Sequence, residues 1–308
     1  MDDVGQIAAL DKELQPSERS VDTEFPPLIS RRQFTGLLLT ALVRPGLAQT
    51  TNAAGRTLDF EMGGGFGGAS AANLTAVLRS AAEALWQHCP HTRWETPGFF
   101  IYHNDPYPIT LDDHRADGRI ALGLTPKGNL WAQFAYQFAH EFGHALAGHS
   151  NDWRKCAIRG PRPNHWLEES LCETASLFAL RAMGKSWQTA PPYPNWKSYA
   201  VHLTEYAQAR LDKTALSLPA HQSFREWFRE NEASMREKST LREKNNVVAL
   251  KLLPLFEATP SGWEAITCYN LAKSDPEKTL SAQFTDWRDH APSAQQAFVG
   301  QLADIFGL

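Results

Sequence analysis

The sequence predicts an α+β protein, with a small sheet supporting one central helix and a mainly helical half following it. Three observations carry that expectation. Short apolar stretches bounded by turn residues fall at 57–62, 97–103 and 118–124, all in the first half of the chain. The run from Gly128 to His149 is rich in helix formers and has no proline, so it reads as one long helix. Beyond residue 163 helical periodicity dominates, interrupted by the turn-forming stretch Ala190-Pro191-Pro192-Tyr193-Pro194-Asn195. At 308 residues the chain can bury one good core or divide into two subdomains about a cleft. A content of 43% hydrophobic and 21% charged residues is that of an ordinary globular protein, and the ten tryptophans are expected in its core. The net charge of −4 offers nothing to nucleic acid. No apolar stretch approaches the ~20 residues of a permanent membrane span.

Taken in order, residues 1–29 are polar and acidic without apolar periodicity, and are expected to be disordered. Ser30 to Ala48 follows, with paired Arg31-Arg32, Phe34, a modest apolar run from Leu37 to Val43, Arg44, and small residues around Ala48. This segment resembles a twin-arginine export signal, so 1–48 is expected to be a signal region and the protein periplasmic or secreted. The competing expectation is an amphipathic or cytoplasmic extension. In an oxidising compartment Cys89, Cys156, Cys172 and Cys268 can form two disulfides, and free buried thiols are the simpler alternative. Residues 49–56 read as a linker. An α+β subdomain is expected over 57–150, with strands at 57–62, 97–103 and 118–124 and a helix from 71 to about 88. A helical subdomain is expected over 151–308, with helices near 166–183, 196–212, 221–235, 241–257 and 293–306.

The chemistry concentrates in His140-Glu141-Phe142-Gly143-His144. On a helix, positions four apart lie one above the other, so the two imidazoles can converge on one ion while Glu141 reaches a water beside it. Two neutral imidazoles suit zinc, and a third protein ligand with a water completes a tetrahedral catalytic site. The pentapeptide arises by chance in roughly 2% of chains with this many histidines, so a third ligand decides the matter. Asn164-His165-Trp166-Leu167-Glu168-Glu169 opens a second helix, with Asn164 as candidate N-cap. Glu169 lies 25 positions after His144, and Glu169 and Glu173 share a face.

Together the two motifs resemble those of the gluzincin zinc metallopeptidases, the thermolysin- and aminopeptidase-like clan. There a Trp-Leu-x-Glu-x-x-x-Glu/Asp segment often follows H-E-x-x-H. The resemblance covers mainly residues 119–184. It implies a zincin-like fold with His140, His144 and Glu169 as zinc ligands and Glu173 as the carboxylate orienting a ligand histidine. Glu141 would be the general base of peptide-bond hydrolysis, on a peptide or protein substrate. Glu168, at the neighbouring phase, is expected to be solvated or salt-bridged. The family also uses a tyrosine or histidine to stabilise the oxyanion. Tyr199 and His202 are candidates for this catalytic role, with Tyr193, Tyr206 and His221 also in range. In the family the strand before the metal helix can pair with substrate, a part open to 119–124 unless that strand is interior. No aminopeptidase-like G-x-M-E-N motif occurs at Gly118–Leu124. The metzincin pattern fails, because Ala147 and Ser150 stand where its glycine and third histidine belong. The alternative function is an inactive zinc-binding, peptidase-like interaction protein of the cell envelope.

Overall fold

Aromatic and β-branched residues between turns build the sheet. The computed structural model describes residues 50–51, 57–91, 98–111, 114–148, 162–215 and 217–308. The signal segment, His149 and Cys156 lie outside them. β1 (Thr50–Thr51) and β2 (Thr57–Leu58) form an antiparallel ribbon, so the expected linker holds a strand. β3 (Phe60–Met62), β4 (Phe99–His103), β5 (Ile109–Thr110) and β6 (Ile120–Leu124) form a sheet in the order β3-β4-β6-β5. The first three are parallel and β5 runs antiparallel. The expected strand at 57–62 is thus split between two sheets.

β6 is interior. It pairs with β4 along its length and with β5 at Leu122 and Gly123, and all five of its residues are buried. A strand covered on both faces reads as a continuous apolar run, which Ile120-Ala121-Leu122-Gly123-Leu124 is. The edge strands are β3 and β5, the latter too short to show alternation in sequence.

Nine α-helices follow or flank the sheet among the described residues: α1 (Ala71–Trp86), α2 (Trp131–Gly148), α3 (His165–Ser186), α4 (Ala200–Ala215), α5 (Phe224–Glu237), α6 (Arg242–Ala258), α7 (Trp263–Ile266), α8 (Leu280–His290) and α9 (Ser293–Phe306). A 3-10 turn at Pro194–Tyr199 leads into α4. α7 and α8 were not expected from the sequence. None of these helices is long and apolar enough to cross a membrane. No disulfide joins Cys89, Cys172 and Cys268.

Two faces of α2 do different work. Phe138 and Phe142, one turn apart, stack on each other with centroids 5.6 Å apart and meet Phe99 of β4 edge-on. Phe60 of β3 closes the cluster, 5.8 Å from Phe138. This apolar stripe fixes α2 on the sheet and turns the opposite face, with His140 and His144, toward α3. α3 is packed by α1, α2, α4 and α6, so almost every residue from Trp166 to Leu180 is buried. Residues 50–308 thus form one compact unit, with α2 and α3 side by side where the expected subdomains would meet. Gly143 makes the crossing close: a Cβ there would stand 3.0 Å from Cys172 Sγ and 3.2 Å from Cys172 Cα.

Phe138 is fully buried between both layers. Phe138→Ala should cost about 3–5 kcal/mol, as large-to-small changes of buried aromatics do. Urea denaturation measures this, and a loss under ~1 kcal/mol would mean that the aromatic stripe does not anchor α2.

Candidate metal centre

α2 sets His140 and His144 one turn apart with ring centroids 5.1 Å from each other. α3 brings Glu169 across from them. His140 Nε2 lies 3.4 Å from Glu169 Oε2, and His144 Nε2 lies 3.7 Å from Glu169 Oε1. One donor atom from each of the three falls within 4.8 Å of both others. Zinc binds such donors at about 2.1 Å with tetrahedral angles, which puts neighbouring donors roughly 3.4 Å apart. The three residues therefore fit a zinc ion with little movement. Their side chains are 15–18% exposed, enough to leave one side of the centre open.

The far nitrogen of each ring is also engaged. His140 Nδ1 stands 3.4 Å from Glu173 Oε2, the residue expected from sequence to orient a ligand. His144 Nδ1 is 2.8 Å from Glu168 Oε1. Glu168 is not a solvated neighbour: it is buried, accepts from Asn270 Nδ2 at 2.8 Å and is ion-paired with Arg162. Its phase puts it on a face that another helix would show to water, but α3 is enclosed on all sides. Behind Glu173, Arg210 Nη2 lies 3.8 Å from Oε1, and its guanidinium rests 4.0 Å from the Tyr136 ring centre. Both imidazoles are thus backed by a carboxylate and then an arginine, the outer arrangement that sets ring orientation and basicity around metals.

Charges in this cluster are strongly coupled. Burial opposes the imidazolium of His144, yet Cys172, Glu169 and Glu141 outweigh it and carry the group up to about 10. Burial likewise works against the Glu169 carboxylate, but His144 and His140 hold it well below the usual range. Burial pushes Glu173 up against the pull of Arg210 and Arg242. Carboxylates at Glu141, Glu168, Glu169 and Glu173 outnumber the two arginines in contact with them, and a divalent cation suits that excess.

Glu141 is buried beside the triad, and its Oε2 accepts from Thr110 Oγ1 of β5 at 2.8 Å. The same hydroxyl reaches the Glu141 carbonyl at 3.0 Å. Burial and the Glu141 charge together raise the phenol of Tyr102, on β4. The structure does not bring Tyr199 and His202 to the triad. Tyr199 Oη accepts from the Ala132 N–H at 3.2 Å, two turns before His140 at the start of α2. His202 faces Glu205 at 3.3 Å on an exposed part of α4. Tyr206 packs edge-on against Tyr136, Tyr193 against Trp196, and His221 is exposed. A histidine that the sequence reading passed over is present instead. His165 Nε2 stands 3.6 Å from Glu169 Oε1, its ring centre 6.2 Å from that of His144. Burial and Arg162 lower it to about 3. Its signal was legible: residues 165, 169 and 173 share one helix face.

Two outcomes are expected. Glu168→Ala should weaken zinc binding about 10–100-fold, although Glu168 lies outside the His140, His144 and Glu169 set; an unchanged affinity in a chelator competition would show that it only fills space. In the metal-free chain His144 is raised above its unfolded value, so its contribution to stability is complete below about pH 6.5 and is lost as pH rises through about 10. The melting temperature of metal-free protein should therefore fall over that window, and His144→Gln should flatten the fall. No family model matches this chain, and neither does any curated protein or solved structure.

Proposed function

We propose that this chain is a zinc-dependent peptidase of zincin-like fold, with His140, His144 and Glu169 as ligands and Glu141 as general base. What supports this is one geometric fact: three donor atoms within 4.8 Å of one another, with a buried carboxylate on the same helix as the two histidines. When bound, zinc would supply Lewis acidity, polarising the scissile carbonyl and acidifying the attacking water. Glu141 accepts a proton from that water as its oxygen bonds to the carbonyl carbon. The proton then passes to the departing nitrogen as the C–N bond breaks, giving a carboxylic acid and an amine. Thr110 holds Glu141 in place from the sheet side.

The substrate in this proposal is an extended peptide. β5 is an edge strand of the sheet whose Thr110 contacts Glu141, and its flanking residues Tyr107 and Leu111 are exposed, so backbone pairing along it would lay a peptide beside Glu141. The proposed place of action, periplasmic or extracellular, rests on the Arg31-Arg32 segment alone.

Metal analysis of the purified chain should find about one zinc per molecule, lost in His144→Ala and Glu169→Gln. Glu141→Gln should keep the zinc and lower cleavage of a mixed peptide library by about 10²–10⁴-fold. A chain that takes up no zinc in chelator-free buffer ends this proposal. Zinc without cleavage would favour the inactive interaction protein.

A further inference from the structure

A second set of metal donors lies beside the first. Among the described residues, His144, His165 and Glu168 also each offer an atom within 4.8 Å of the other two. His140 and Glu169 are outside this set, and His144 alone is common to both. His165 is the first residue of α3 and Glu168 stands one turn further on, so one helix end brings both to His144.

His144 presents opposite nitrogens to the two sets. Nε2 is the atom toward Glu169, 3.7 Å from its Oε1. Nδ1 lies 2.8 Å from Glu168 Oε1. The second set thus uses a nitrogen that the first leaves over, and both sets can be filled at once. Around an ion, Nδ1 and Oε1 would part to roughly 3.4 Å, the spacing of neighbouring donors on zinc.

The second set has outer contacts of its own. Arg162 and Asn270 both engage Oε2 of Glu168, which keeps Oε1 turned to His144. Ser239 Oγ stands 3.2 Å from His165 Nδ1. With Nδ1–H donated to that hydroxyl, the lone pair of His165 is on Nε2, the arrangement that orients histidines at metals. The residue before His165 is anchored too. Asn164 Oδ1 accepts from Arg236 Nη1 at 2.7 Å, and Tyr269 Oη donates to the Asn164 carbonyl at 3.1 Å. The His165 side chain is 26% exposed against 18% for His144, so the site is open to an ion from solvent.

We propose that His144 Nδ1, His165 and Glu168 form a second divalent-metal site, so that the chain can hold two ions joined by the His144 ring. This rests on the first ligand set proposed above, though not on peptide cleavage. Two imidazoles and one carboxylate suit zinc, cobalt or nickel better than calcium or magnesium, which take oxygen donors. Two features make the site the weaker of the pair. The entering ion must displace the Nδ1 proton, which leaves to solvent as the Nδ1–metal bond forms, and the charge of Arg162 stands against the same carboxylate. Its occupancy therefore follows the level of free metal while the first ion stays in place. In one state Glu168 orients His144, and in the other a second ion does.

The test is equilibrium dialysis of the full chain against zinc at rising free concentration, with melting temperatures measured alongside. Wild type is expected to keep one zinc in zinc-free buffer and to take up a second as free zinc rises. His165→Ala should keep the first and lose the second. Ser239→Ala should weaken the second about 10–100-fold and leave the first unchanged. Glu169→Gln should lose the zinc held in zinc-free buffer yet still take up one at the higher concentrations, and adding His165→Ala to it should remove that one. A second zinc retained in His165→Ala lies elsewhere on the molecule and overturns the proposal. So does loss of both ions in a folded His165→Ala, which makes His165 a ligand of the first. So does a wild type that takes up no second ion at free zinc up to about 1 mM. Should His165→Ala fail to fold, Ser239→Ala decides, and an unchanged second affinity there overturns the site. A wild type that binds no zinc at all removes the first ligand set as well, whereas absence of the second ion alone leaves the peptidase proposal standing.

Discussion

The close crossing of α2 and α3 is the constraint on which the rest of the molecule depends. At Gly143 no side chain separates the helices, and Cys172 fills the space directly opposite. That contact sets the distance over which Glu169 meets His140 and His144. The aromatic stripe on the other side of α2 keeps the helix from rolling, since turning it would expose Phe138 and Phe142 together. A catalytic arrangement needs its groups held to within a fraction of an ångström, and rigid helices do this better than loops. Here the candidate ligands sit within two helices locked by packing on both sides.

Electrostatics gives the same centre its second layer. Four carboxylates gathered beneath the surface carry a heavy desolvation cost unless each is paired. Glu168 has Arg162 and Asn270, Glu173 has Arg210, Glu141 has Thr110, and Glu169 has the three imidazoles. Part of the pairing is directional, because Glu168 and Glu173 each take the Nδ1 of one ring and leave its Nε2 toward Glu169. Stability and the readiness to hold a metal therefore come from the same contacts.

Much of this was legible in the sequence, for reasons that can be named. Spacings of four residues survive translation into structure because the helical repeat is rigid, so His140 with His144 and Glu169 with Glu173 came out together. The α+β order was legible because its strands are bounded by turn residues. β5 was not, since two residues cannot show a period. Glu168 is salt-bridged, one of the two states expected of it, but its burial was not legible because helix phase says which residues share a face, not whether that face meets water. Tyr199 and His202 were misplaced because distance along the chain says little about which helix end a side chain will cap. α8 carried readable signs, with Thr279 accepting from the Ala282 N–H and Leu280, Phe284 and Trp287 on one face.

The contacts around α3 also say something about order of assembly. Asn270 reaches Glu168 across 102 residues of sequence, and Asn164 reaches the Lys278 carbonyl across 114. The ligands themselves lie within one helix pair, formed from neighbouring parts of the chain. Contacts between residues so far apart require large loops to close and so form slowly. A chain emerging from synthesis thus has all three candidate metal-binding side chains well before distant partners such as Asn270. Its inner shell can exist early, and its outer shell is completed only when the C-terminal segment docks.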